Sequence, residues 1–283
     1  MKEHLSIRAL FGGIFPRIAA MFLVVLVISS VIILFFMSNV FQEKTFEETL
    51  RSQTYSVLQL TSGLDTYLDS IDQLTLSIIY DRNVQSILQG KKPEYYSLNA
   101  LLGSSARQEN LYIMLSDGYG RVYSSSNILM PLQSTARLEQ TDLYSRMQKT
   151  YAALHWDLCA NNLMSDQPGV KESWMLTAGR QVRHLDIDSR AGNIVVQVFP
   201  SMLVSQMQDP LMHADARFLL LNKNNRVVYD SWGKFSINDL MAAPVLLEHV
   251  NAGDDNFFGE TELGNQLYVF GFTKKAELKL ISC

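Results

Sequence analysis

The chain has 283 residues, room for one large domain or two small ones beside an anchor. At 47% hydrophobic and 18% charged it can build real cores and lies far from a disordered composition. A net charge of -4 and a pI near 5.7 argue against nucleic acid as a partner, and two cysteines, Cys159 and Cys283, exclude a disulfide framework.

The first element is Ile18 to Met37, IAAMFLVVLVISSVIILFFM, uncharged and with Ser29 and Ser30 as its only polar residues. Twenty helical residues rise about 30 Å, the thickness of a bilayer's hydrocarbon core. Its Leu, Ile, Val and Phe residues each favour insertion by roughly 0.3–0.6 kcal/mol. A soluble helix needs no unbroken apolar circumference, and a cleaved signal has a shorter apolar run with a small-residue cleavage site behind it. The run is therefore expected to be a retained transmembrane helix. Lys2, Arg8 and Arg17 precede it against Glu3, whereas Glu43, Glu47 and Glu48 follow it with Lys44 and Arg51. The excess of basic residues before the span predicts a cytoplasmic tail over 1–17 and an extracytoplasmic bulk, in the cell membrane.

Residues 38–80 predict a long stalk helix. Phe46, Leu50, Gln53, Val57, Leu60, Leu64, Tyr67, Ile71, Leu74 and Ile78 recur in alternating steps of four and three, a 3.5-residue period. The stripe can carry a homodimer through the stalk or pack on its own domain; the spacing leaves both open. Asp81-Arg82-Asn83 and Gly90-Lys91-Lys92-Pro93 end it. Leu111–Leu115 and Arg121–Ser124 flank Ser116-Asp117-Gly118-Tyr119-Gly120, a hairpin signal. A polar helix is expected over Asp142–Leu154, a long alternating strand over Trp174–Ile187, a turn over Asp188–Asn193, a returning strand over Ile194–Phe199 and a short helix over Ser201–Gln208. The order then repeats: a hairpin from Arg217–Leu221 and Arg226–Asp230, a helical stretch over Ile237–Val250 with Pro244 inside it, and strands over Phe257–Leu263, Leu267–Thr273 and Glu277–Ser282. The fold class is α+β, with two tandem modules of antiparallel sheet, at 81–205 and 206–283.

A span, a long helix and two such modules resemble a double Cache region, a PAS-like extracytoplasmic sensor of bacterial receptors, and most of all that of YesM-type sensor histidine kinases. The stretches that carry the likeness are FEETLRSQTYSVLQLTSGLDTYLDSIDQLTLSIIYD, LYIMLSDGYGRVYSSS, LTAGRQVRHLDIDSRAGNIVVQVFPSMLVSQM and RFLLLNKNNRVVYDS. The resemblance implies a membrane-distal and a membrane-proximal module, a small extracellular ligand with sugars first, and transmission of its occupancy to a kinase. The chain contains no second span, HAMP or kinase module after Ser282, so it is expected to be the N-terminal part of such a receptor. Double Cache domains that read amino acids use an Arg, Trp and Tyr cluster; the matching Leu143-Tyr144-Ser145-Arg146-Met147 lacks it. The competing reading is an exported module that docks another protein, such as a transporter's binding subunit. A sensor with a different output, such as a chemoreceptor or cyclase, is the third.

No enzyme is expected in these residues: G-x-S-x-G and HExxH are both missing, and no cofactor is implied. His155 and Cys159, four apart, would share a helix face, but two ligands close no metal site. The candidate ligand site lies in the first module. Alternation puts Trp174, Leu176, Ala178 and Arg180 on one strand face, and Tyr144, Tyr151 and Trp156 come from the segment before it. Aromatic walls with one Arg suit a sugar or a small carboxylate. The alternative is that the aromatics are core and Arg180 pairs with an acid of the chain.

Overall fold

Between Pro16 and Gly63 the chain carries neither proline nor glycine, and helix α1 runs unbroken from Ile14 to Tyr80. Pro16 falls in its first turn, where a missing N–H costs no intrahelical bond. The computed structural model describes residues 14–90, 95–109, 111–125, 133–150, 152–160, 174–186, 189–198, 202–203, 217–261 and 263–282. The chain divides into two units, Met1–Ser52 and Gln53–Cys283. In the first, Ile18–Met37 is exposed throughout, and the stretch is long and apolar enough to cross a membrane. In the second, α1 ends where Asp81 caps α2 (Arg82–Leu88): its carboxylate accepts from Asn83 N at 2.8 Å and Val84 N at 3.0 Å, which starts a new helix.

The second unit holds two antiparallel five-stranded sheets. Helix α3 (Tyr95–Glu109), β1 (Leu111–Asp117), β2 (Val122–Ser124), α4 (Gln133–Glu139), α5 (Asp142–Lys149), β3 (His155–Ala160), β4 (Trp174–Arg183) and β5 (Arg190–Val198) form the first module. The second comprises β6 (Phe218–Leu221), β7 (Val227–Asp230), α6 (Pro244–Ala252), β8 (Asn256–Thr261), β9 (Gly264–Phe272) and β10 (Lys279–Ser282). The strand orders are β2-β1-β5-β4-β3 and β7-β6-β10-β9-β8. They are one topology used twice: a hairpin, a helical connection, then three strands whose last returns beside the hairpin's first. The repeat expected from the order of elements is thus present in the hydrogen bonding.

The central strands of each sheet are buried on both faces. Met114, Val122, Cys159 and Val195 pack on Leu138 of α4 and on Leu143 and Met147 of α5, while Leu219, Val227, Leu246, Val250, Tyr268 and Ile281 form the second core. On the other face of the first sheet Ile113, Leu176, Ala178 and Ile194 are buried, and Arg180 reaches α1 from there. In the second sheet, a Cβ on Gly271 would meet Val57 and Thr61 side chains at 2.6 Å, so β9 lies directly on α1. Val57, at 1% exposure, and Leu60, Leu64, Tyr67, Ile71 and Ile78 are all buried within the chain. From Val57 onward the 3.5-residue stripe therefore packs on its own unit, because two sheets need a common surface to close against.

Four expectations change. The helix over Asp142–Leu154 stops at Lys149, since Thr150 is already extended (φ -129°, ψ 127°), and His155–Ala160 is a strand. His155 and Cys159 consequently share no helix turn; they lie about 13 Å apart along β3 and pair across to Gly179 and Met175. The strand from Trp174 ends at Arg183, and its partner starts at Arg190, inside the expected turn. Pro244 begins α6 instead of kinking a longer helix, since the residue before a proline is kept from helical angles: Ala243 sits at φ -139°, ψ 73°. Of the helix expected over Ser201–Gln208, only Met202 and Leu203 are described, and both are helical.

Candidate ligand site

The residues singled out from the sequence occupy both faces of the first sheet. Arg180 is 2% exposed, on the face toward α1, and its Nη2 donates to the Asp72 carboxylate. The other Asp72 oxygen takes Lys275 Nζ at 3.1 Å, and Lys275 also reaches Asp69 at 3.0 Å. Burial pulls the Arg180 guanidinium down to about 10, which still leaves it charged at neutral pH beside its carboxylate. Trp156 lies directly across from Ala178, so it shares Arg180's face, and it is buried. Tyr144 stands on α5, on the opposite face. Trp174, at the start of β4, is 37% exposed. Tyr151 lies outside the described residues. The sheet itself keeps Tyr144 apart from Arg180 and Trp156, so these residues do not make one pocket.

The helix-covered face offers a different arrangement. A cavity of about 420 Å³ opens where β1 ends and β5 begins, walled by Ser116, Asp117, Gly118, Gly120, Leu138, Glu139, Tyr144, Arg190 and Asn193. The two strands meet tightly there: a Cβ on Gly192 would lie 1.8 Å from the Ser116 carbonyl oxygen, so only glycine lets β5 start against β1. Arg190 is exposed yet held. Its Nη2 donates to Tyr144 Oη at 3.0 Å, its Nη1 donates to Gln148 Oε1 at 2.9 Å, and the guanidinium stands 5.7 Å from the Tyr144 ring centroid. Asn193 turns its amide oxygen to Arg190 Nη2 at 3.0 Å and donates to the Gly192 carbonyl.

Asp117 does not compete for Arg190. Its Oδ1 accepts from Tyr119 N at 2.9 Å and Arg121 N at 2.8 Å, and Oδ2 binds Arg121 Nε at 2.5 Å. That bond raises the Arg121 pKa above its ordinary value. Asp117 thus fixes the β1–β2 turn, and Arg190 remains the cation that the wall presents with two donors fixed in place. With its Nη atoms already engaged by Tyr144 and Gln148, this cation suits an anionic group such as a carboxylate by its charge. Cys159, on the same face, is buried, and burial pushes its thiol up to about 12, which makes it an inert core group. Among the described residues no group of three His, Cys, Asp or Glu could hold a metal ion.

Arg190 and Asn193 escape a reading by sequence because they fall in a stretch with strong turn character. The usable signal is in the pairing. Ser116 and Asn193 face each other across β1 and β5, polar residues on the face where Met114 and Val195 are apolar.

No protein-family model matches the chain, and no curated protein matches it. Solved structures do. The extracellular domain of the putative histidine kinase vpHK1S-Z8 is 15% identical over 84% of this chain and 95% of its own, with a TM-score of 0.62. The ligand-binding domain of the Campylobacter jejuni chemoreceptor Tlp3 in complex with L-valine is 17% identical over 84% and 93%, with a TM-score of 0.58. That of the Pseudomonas fluorescens chemoreceptor CtaA in complex with L-isoleucine is 11% identical over 85% and 94%, with a TM-score of 0.57. At these identities the likeness is one of fold: a long N-terminal helix and two antiparallel sheets, in the α+β class, as in extracellular sensor domains.

Proposed function

We propose that the chain is the extracytoplasmic sensing region of a membrane-anchored receptor, and that its ligand is a small carboxylate held in the first module. The cavity at Arg190 carries this reading. It joins a pre-set guanidinium to an aromatic ring and neutral polar groups in a volume within the range of small-molecule sites. Glu139 on the same wall could receive an ammonium, which puts amino acids beside simple carboxylates in the ligand class. The solved neighbours support it, since two of them are described in complex with L-valine and L-isoleucine. Of the expected site residues, Tyr144 is carried into this site and Arg180 is assigned to the structure of the unit.

The apolar run before Met37 would be the membrane anchor, with the N-terminus inside and the two modules outside. Occupancy would act by favouring one packing of α5 on the first sheet over another, and α1, which lies under both sheets, is the element that could pass the difference on. A histidine kinase output, as expected from the YesM-type resemblance, is supported by the vpHK1S-Z8 domain; the two chemoreceptors leave the output class open between kinase and chemoreceptor.

The test is thermal unfolding of the full-length chain in nanodiscs with L-valine, L-isoleucine, L-serine, succinate and citrate. At least one should raise the midpoint, and Arg190→Ala should abolish that rise while leaving the unliganded midpoint nearly unchanged, because Arg190 is exposed. If every compound fails, or the rise survives Arg190→Ala, the reading is wrong.

A further inference from the structure

The second unit holds a larger cleft, of about 620 Å³, between its two modules. On one side are the β3 edge, the start of β4 and the α4–α5 junction; on the other are the β6–β7 turn and Asn238, which follows β7. Three properties of its wall narrow what can fill it.

The first is Trp174. Of the chain's three indoles, Trp156 is buried and Trp232 packs on the second core, while Trp174 is 37% exposed in the cleft wall. Among the described residues no ring stacks on this large flat apolar side chain, which makes it a platform in a polar cleft. The second is a set of uncommitted polar side chains. Gln140, Asp142, Asn224 and Asn238 line the cleft, and their side chains take no hydrogen bond among the described residues. Their frame is fixed all the same: Asn222 Oδ1 accepts from Asn224 N and Arg226 N, both at 2.9 Å, and Arg226 Nη1 donates to the Asn238 carbonyl at 2.8 Å. The third is charge. Among the lining side chains the two cations Arg137 and Arg226 equal the two anions Asp142 and Asp157 in number, so the lining itself carries no net charge.

An aromatic platform beside neutral amides fits a ring that is apolar on its face and hydroxylated on its edge. Hydroxyls donate and accept at once, which matches amides that offer both functions. We propose that this cleft is a second ligand site, for a neutral mono- or disaccharide, with Trp174 stacking on the sugar ring and Asn224 and Asn238 binding its hydroxyls. Because the walls belong to different modules, a sugar there would tie the two together. The site is separate from the cavity at Arg190 and stands whether or not that cavity binds a carboxylate.

The experiment follows the indole N–H signals of the full-length chain in nanodiscs, with Trp174 identified by Trp174→Phe. Maltose, lactose, xylobiose and galactose are titrated into the millimolar range. At least one sugar should shift the Trp174 signal saturably and leave Trp156 unmoved. Asn224→Ala should weaken the apparent affinity about tenfold, as loss of one or two hydrogen bonds does, and Arg190→Ala should change nothing. An unmoved Trp174 signal, a shift unaffected by Asn224→Ala, or one abolished by Arg190→Ala would each overturn the assignment.

Discussion

A guanidinium carried inward on an apolar strand has to meet a carboxylate or an ordered hydroxyl, because an unpaired buried charge costs more than a domain can spare. Alternation along β4 is enough to place Arg180 inward. Its partner, Asp72, lies 108 residues away on a helix that shows only a hydrophobic period, and no local pattern connects them. The Asp72 carboxylate then serves two cations, Arg180 from the first sheet and Lys275 from the β9–β10 connection of the second module. We expect Arg180→Ala to lower unfolding stability by about 3 kcal/mol, at the lower end for a broken buried pair since Asp72 keeps 18% of its side-chain surface. Arg180→Met with Asp72→Leu should recover most of that loss, because neither charge of the buried pair then remains and the half-exposed Lys275 keeps Asp69. Denaturant melts of the two variants decide, and a double variant as unstable as the single one would remove Arg180–Asp72 from the structural account.

At the level of elements, periodicity served well where a single partner surface sets the pattern, and less well where local chemistry shifts a boundary. The long helix, both hairpins and the three strands of the second module lie where hydrophobic alternation and turn residues put them. β3 was hidden because its six residues, His155–Ala160, adjoin a polar helix and alternate only once its edge position is known. That edge is blunted: Arg146 donates to the Trp156 carbonyl at 3.0 Å, and Asp157 Oδ1 accepts from Leu158 N at 2.9 Å. Gly63 offers a direct test of α1. It sits in the middle of the helix, is exposed, and a Cβ there meets nothing within 4 Å. Gly63→Ala should therefore stabilise the unit by about 0.5–1 kcal/mol through helix propensity alone. A loss measured in the full-length chain would instead mean that a partner covers this face.

For the whole molecule, the proposed topology makes a sharp demand. Protease added to intact spheroplasts should remove everything beyond about residue 40, the end of the predicted span, and leave a membrane-held N-terminal fragment. Protection of the two modules would reverse the orientation and with it the extracytoplasmic reading.

By itself the sequence determined the candidate span, the α+β class, the doubled order of elements and the inward side of β4. Each of these follows from composition or from a period of two or 3.5 residues, properties of contiguous chain. Tertiary structure alone decided three matters. The stalk stripe from Val57 is covered by the two sheets of its own chain; Tyr144 is separated from Arg180 by the thickness of a sheet; and the cation that faces the cavity at Tyr144 is Arg190, brought there by strand register. These depend on which distant segments face one another. That is settled by how the two modules close on helix α1, and no local pattern of residue types encodes it.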